Sequence, residues 1–151
     1  MNRRNFLSFA GSAIALSVMP MNLSATDFRK SKPTVWTAQT IDDATKALYN
    51  VKDVQESDLI KLTVPKINSS GGAVPVKFST TLDAKTIALF QDANPESAVA
   101  VYEVNKYDIK KYEVKIKMGK SGTIMVLVET TDGKIYMTKT TTEVAAGGCE
   151  G

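Results

Sequence analysis

From residue 60 onward the chain alternates between apolar and polar positions. Ile60, Leu62 and Val64 alternate with Lys61 and Thr63, and Val74, Val76 and Phe78 with Pro75 and Lys77. Tyr112, Val114, Ile116 and Met118 likewise alternate with Lys111, Glu113, Lys115 and Lys117. A period of two with one wetted face predicts antiparallel strands. The stretches 86–90, 99–104 and 123–128 are more continuously apolar, which predicts strands with less solvent on their outer face. Turn chemistry separates the runs at Asn68 to Gly72, at Asn94-Pro95, at Gly119 to Gly122 and at Asp132-Gly133, the last a hairpin signal. Pro75 inside an alternating run predicts an edge strand or a bulge.

Before the strands, residues 41–49 predict one helix. Thr40 can cap it, Asp42 and Asp43 suit its first turn, and Ile41, Ala44, Leu48 and Tyr49 form its apolar stripe, which should pack across an edge or end of a sheet. About seven short strands after one helix predict an all-β, immunoglobulin-like antiparallel β-sandwich, with a partly open barrel as the alternative. The thirteen or so residues ahead of Thr40, with Pro33 and Trp36, and the last few residues are expected to be disordered. Trp36 and Tyr49 are expected to cover the sandwich.

The start of the chain has a different pattern. Arg3 and Arg4 precede a modestly apolar run and small residues near Ala25, with no acidic residue before Asp27. This predicts a signal peptide over 1–25, and the paired arginines followed by Phe6-Leu7 point to the twin-arginine type. The processed protein is then expected in a periplasm, exported folded, with no membrane insertion after processing. Without residues 1–25, seventeen basic side chains face sixteen acidic ones, interspersed along the chain. That balance gives no footprint for nucleic acid.

The chain has no histidine and one cysteine. Ser-His and Cys-His nucleophilic machinery and the commonest transition-metal ligand are therefore absent, and no cofactor or metal site is expected. Met118, Met125 and Met137 fit strand positions as core filler. Asp42, Asp43, Asp53, Glu56 and Asp58 read as solvated charges. Lys110, Lys111, Lys115 and Lys117 read as a wetted strand surface that discourages edge pairing, with contact to an acidic surface of another protein as the alternative. The cysteine, Cys149, follows Gly147-Gly148 after Ala145-Ala146 and is followed by Glu150 and Gly151. Small residues cannot pin a segment to a core. At about 3.3 Å per residue, the steps from Val144 to Cys149 give a reach of roughly 17 Å. The expected organisation is a leader over 1–25, a sandwich over 26–144 and a flexible Gly-Gly-Cys arm over 145–151.

The helix, the segment 65–76 with its Pro-x-x-x-x-x-Gly-Gly-x-x-Pro-Val pattern, the Asn94-Pro95 turn and the terminal Gly-Gly-Cys together resemble SoxY, the sulfur-carrier family of the thiosulfate-oxidising Sox system. The resemblance spans nearly the whole chain after residue 25, and its tail is the specific part. It implies a carrier rather than an enzyme, with Cys149 as the covalent attachment point and Gly147, Gly148 and Gly151 as parts of the arm. It further implies a heterodimer with a SoxZ-like subunit, a c-type cytochrome that loads thiosulfate, a sulfate-releasing hydrolase and a sulfane dehydrogenase. The family ending is Gly-Gly-Cys-Gly-Gly, and Glu150 departs from it. From the residues alone, a structural immunoglobulin-like module with an intermolecular disulfide and a thiol-dependent redox enzyme remain the competing readings.

Overall fold

The computed structural model describes residues 26–51 and 54–145. Its elements are α1 (Phe28–Ser31), a 3-10 turn (Pro33–Thr37), α2 (Ile41–Tyr49), β1 (Gln55–Glu56), β2 (Ile60–Thr63), β3 (Ile67–Asn68), a 3-10 turn (Gly71–Ala73), β4 (Val74–Thr80), β5 (Ala84–Gln91), β6 (Ala98–Glu103), β7 (Lys111–Ile116), β8 (Gly122–Thr130) and β9 (Ile135–Val144). The longer strands form two sheets, β9-β8-β5-β6 and β2-β4-β7, packed as the expected antiparallel β-sandwich.

Alternation places the inner core between the sheets. Ile60, Val74, Val76, Phe78 and Ile116 from the smaller sheet meet Ile87, Leu89, Ile124, Val126 and Val128 from the larger. Phe78, Tyr112 and Tyr102 close one side of it, with Phe78 and Tyr112 stacked at 5.1 Å. The alternate residues of β5 and β8, Ala88, Phe90 and Leu127, point the other way and are also fully buried. They face Val35, Ala44, Leu48 and Ile135 in a second core. Each fully buried Val, Leu, Ile or Phe contributes about 1.5–3 kcal/mol.

The second core corrects two expectations. The helix α2 lies over the outer face of the larger sheet, because that face carries Phe90 and Leu127 and needs a cover, whereas an edge would leave them wet. Residues 26–39 are ordered rather than disordered. Asp27 caps α1 by accepting from the N–H groups of Arg29 and Lys30, Pro33 opens the following turn, and Val35 is completely buried. The Trp36 indole N–H donates to the Phe28 carbonyl at 3.1 Å, and the Arg29 guanidinium sits 4.3 Å above its ring. The segment is tied to both ends of β6, since the Thr26 N–H donates to Glu103 and the Ser97 N–H to the Ala38 carbonyl. Helix α2 itself spans the expected residues, with the Thr40 hydroxyl accepting from the Asp43 N–H and Asn50 closing it in the left-handed conformation at φ 56°.

Three further details differ from the sequence reading. Pro75 lies in a central strand without a bulge; β2 ends at the Thr63–Lys77 pair, so Pro75 has only Lys115 of β7 beside it and its missing N–H breaks no second ladder. Pairing is not wholly antiparallel, because β1 and β3 each add a two-residue parallel contact to β9. The Asp132-Gly133 hairpin forms, but only Gly133 takes a positive φ, 82°. The Gly133 N–H returns to the Thr130 carbonyl and the Thr130 N–H reaches the Lys134 carbonyl, a three-residue connection with glycine in the left-handed position.

Tyr49, at the end of α2, turns its hydroxyl onto Thr86 at 3.0 Å, and the Thr86 hydroxyl also meets a Glu129 oxygen at 3.0 Å. Burial pushes the Tyr49 phenol well above its ordinary value, and the Glu129 charge adds to this against the opposing Thr86 contact. The native state thus holds this proton more tightly than the unfolded chain, so the stability tied to it is complete below pH 10.0 and is lost as pH rises above that value. A Tyr49→Phe chain is expected to lose about 1 kcal/mol at neutral pH and to show a shallower alkaline decline. Urea midpoints at neutral and alkaline pH check this, and an unchanged alkaline slope would contradict it.

Candidate functional site

The sequence-level site residues Gly147, Gly148, Cys149 and Gly151 lie outside the described residues, as do Arg3, Arg4 and Asp53. What the structure defines is the root from which the C-terminal segment leaves. The root is the end of β9, and its last residues are held from two sides. The Glu143 N–H donates to the Lys66 carbonyl at 2.8 Å and the Ala145 N–H to the Asn68 carbonyl at 3.0 Å, both through the parallel contact with β3. Between them the Val144 N–H donates to the Ser121 hydroxyl at 2.9 Å.

A buried polar clamp fixes β3 against β9. The Asn68 amide donates to the Thr142 hydroxyl at 2.7 Å, and that hydroxyl donates to the Pro65 carbonyl at 2.6 Å. Asn68 and Thr142 are 8% and 2% exposed, so each group has its partner where water is scarce. Gly71 completes the arrangement. A Cβ built on it would lie 2.1 Å from the Met118 carbonyl oxygen and 2.9 Å from a Val144 methyl. The Gly71 carbonyl in turn accepts the Met118 N–H at 2.8 Å.

The Gly-Gly pattern of segment 65–76 therefore has a local cause: the chain passes too close to β7 and β9 for any side chain at Gly71. Gly71→Ala is expected to cost about 1–3 kcal/mol, because the nearest obstacle is backbone. Urea unfolding measures the loss, and a midpoint equal to that of the parent would refute the close approach.

The opposite wall of this end is also tied by side chains. Gln91 accepts from the N–H groups of Ala93 and Asn94, Asn94 donates to the Lys117 carbonyl at 2.7 Å, and the Asn94 side-chain oxygen accepts the Gly119 N–H at 2.9 Å. The Asn94-Pro95 turn thus joins β5 to the segment after β7. Beside the root, Lys66, Ser121, Gly122, Thr123, Thr140, Thr141, Thr142 and Glu143 line a shallow groove of about 500 Å³. Sequence reading singled out Gly71 and Asn94 as turn residues but missed the anchoring roles of Asn68, Ser121 and Thr142. The run of threonines at 140–142 was the available signal, since a buried threonine needs a partner for its hydroxyl.

The chemistry of this end is anchoring. Among the described residues, no group of three or more carboxylate, histidine or cysteine side chains is placed to hold a metal ion. No helix among them is long and apolar enough to cross a membrane.

Comparison with known proteins adds the family. The model of the sulfur oxidation protein SoxY matches residues 45–149, a span that reaches from α2 to the cysteine. Among solved structures, the sulfur carrier protein SoxY from Chlorobium limicola f thiosulfatophilum superposes with a TM-score of 0.63 at 29% identity, covering 70% of this chain and 96% of that one. A superoxide reductase (neelaredoxin) from Ignicoccus hospitalis gives 0.51 at 14% identity over 57% of this chain and 80% of its own. A putative superoxide reductase from Thermotoga maritima gives 0.53 at 15% identity over 61% and 94%. At those two identities the likeness is one of fold alone. No curated protein matches the chain. The match over 105 positions, with the clamped strand end leading toward Cys149, places this chain in the SoxY family of sulfur oxidation proteins.

Proposed function

We propose that this chain is a periplasmic sulfur carrier which holds thiosulfate-derived groups on Cys149 and presents them to separate enzymes. The observation that carries the reading is the position of the cysteine: it ends the family match, follows two glycines and stands five residues beyond a strand end tied down by Lys66, Asn68 and Ser121. A fixed root with a small-residue extension suits delivery, because an enzyme meets the tethered group at an effective concentration on the order of millimolar.

The chemistry is supplied from outside. The thiol loses its proton, its sulfur bonds to the outer sulfur of thiosulfate, and two electrons pass to a c-type cytochrome, leaving an S-thiosulfonate on the chain. A hydrolase then releases sulfate and a sulfane dehydrogenase oxidises the remaining sulfur. Residues 1–25 act as a twin-arginine leader read through Arg3 and Arg4, 26–144 as the sandwich and 145–151, with Gly147, Gly148 and Gly151, as the arm. A SoxZ-like subunit completes the heterodimer.

The test is intact-protein mass spectrometry of the exported chain after incubation with thiosulfate and the cognate cytochrome. A mass gain of one thiosulfate group located on Cys149 is expected. A chain that remains a free thiol, or that appears only as a disulfide-linked pair, would overturn the proposal in favour of a structural module.

A further inference from the structure

The outer face of the three-stranded sheet carries a charge pattern that the fold itself does not require. Register sets three rows across it: Lys61, Ser79 and Lys111; Thr63, Lys77 and Glu113; then Pro75 beside Lys115. The inward partners of the same strands, Ile60, Val76, Phe78 and Ile116, fill the core, so these residues face out. Four lysines share the face with one carboxylate. Lys77 pairs with Glu113 at 3.2 Å, both side chains well exposed, and among the described residues Lys61, Lys111 and Lys115 have no ion pair. This concentration stands on a chain whose total charge is only +3.

We propose that this lysine face is the docking surface for an acidic face on the cytochrome that loads Cys149, an inference that rests on the carrier reading above. Position supports it. The Pro75–Lys115 row adjoins Val74 and Ile116, and Gly71, three residues before Val74, passes close to both the Met118 carbonyl and Val144 at the root of the C-terminal segment. A protein that engages Cys149 within its reach of roughly 17 Å can therefore rest on these lysines. The kind of partner follows from size and chemistry. Two strand spacings of ~4.8 Å make the face about 10 Å wide, which suits the small, transient encounters of redox proteins. A permanent subunit would bury apolar groups, because desolvating unpaired lysines is costly and charged residues are depleted at interface cores. The face is also firm, resting on the stacked rings of Phe78 and Tyr112.

The test compares the full-length exported chain with a Lys61→Glu, Lys111→Glu, Lys115→Glu triple variant, and with the same positions changed to Gln. Surface plasmon resonance reads association with the cognate c-type cytochrome at several salt concentrations, and mass spectrometry reads loading separately. The parent's association rate is expected to fall as salt rises, the Glu variant to be slower by roughly tenfold or more at low salt, and the Gln variant to lie between them, with unfolding midpoints unchanged. Equal association rates for parent and Glu variant at low salt overturn the docking face even if both chains load. A parent that binds the cytochrome with this salt dependence but never gains mass overturns the carrier reading instead.

Discussion

A Cys149→Ser chain should gain no mass from thiosulfate and pass no electrons to the loading cytochrome, while unfolding at the same denaturant concentration as its parent. The loss is complete because the chain has one sulfhydryl and no histidine or second cysteine to take over the attachment. Serine keeps the size of the side chain, but a hydroxyl stays protonated at neutral pH and cannot form the sulfur–sulfur bond. Stability is expected to hold because both cores are assembled from residues between Phe28 and Val144. Two measurements separate the possibilities: intact mass after loading, and urea unfolding without it. Residual loading of the serine chain would refute Cys149 as the attachment point, and a lowered midpoint would show that the thiol supports the fold.

The largest stability change is expected from Phe90→Ala, at about 3–5 kcal/mol. Phe90 is completely buried on the outward face of β5, among the residues that join the larger sheet to α2 and the segment ahead of it. Truncation opens a cavity in the cluster that also holds Val35, Leu48 and Leu127, and the sheet beneath cannot collapse into the space because β5 is hydrogen-bonded on both sides. A loss of this size is a large fraction of the 5–15 kcal/mol typical of a whole domain. Trp36, the single tryptophan, packs against this same core and reports on it by fluorescence. Fluorescence and far-ultraviolet circular dichroism should lose their native signals together, at lower urea than in the parent. A shift below about 1 kcal/mol would mean that the second core contributes little.

Much of this architecture was legible because alternation is a physical requirement of a half-wetted sheet. The runs at 60–64, 74–78 and 111–118 disclosed β2, β4 and β7, and the smaller sheet does have one wet side. The richer runs at 86–90 and 123–128 correctly disclosed a second covered face. Sequence could not say what covered it, because α2 and the turn at Val35 reach that face only through the tertiary fold. The segment ahead of Thr40 looked unstructured for a related reason: its order depends on Val35, Trp36 and the tie to Ser97, none of which has a local periodicity. Pro75 was misjudged because the length of β2, which decides whether proline has a neighbour on each side, is not written near Pro75. At the candidate site, Cys149 and its glycines were singled out by the tail pattern and given their roles by the family resemblance. The anchoring of Val144 by Ser121, and of Thr142 by Asn68 and Pro65, joins residues far apart in the chain and becomes visible only once the strands are laid side by side.

The parallel contact between β3 and β9 has a mechanical meaning. When a visiting protein draws the chain end away along the strand axis, the bonds from Glu143 and Ala145 to Lys66 and Asn68, together with the ladder to β8, are loaded in shear. Bonds loaded sideways must break nearly at once, whereas a strand peeled from its end yields one bond at a time. On the carrier reading proposed above, a pull on the chain end would thus be borne by the whole end of β9 and would leave the sandwich behind it zipped.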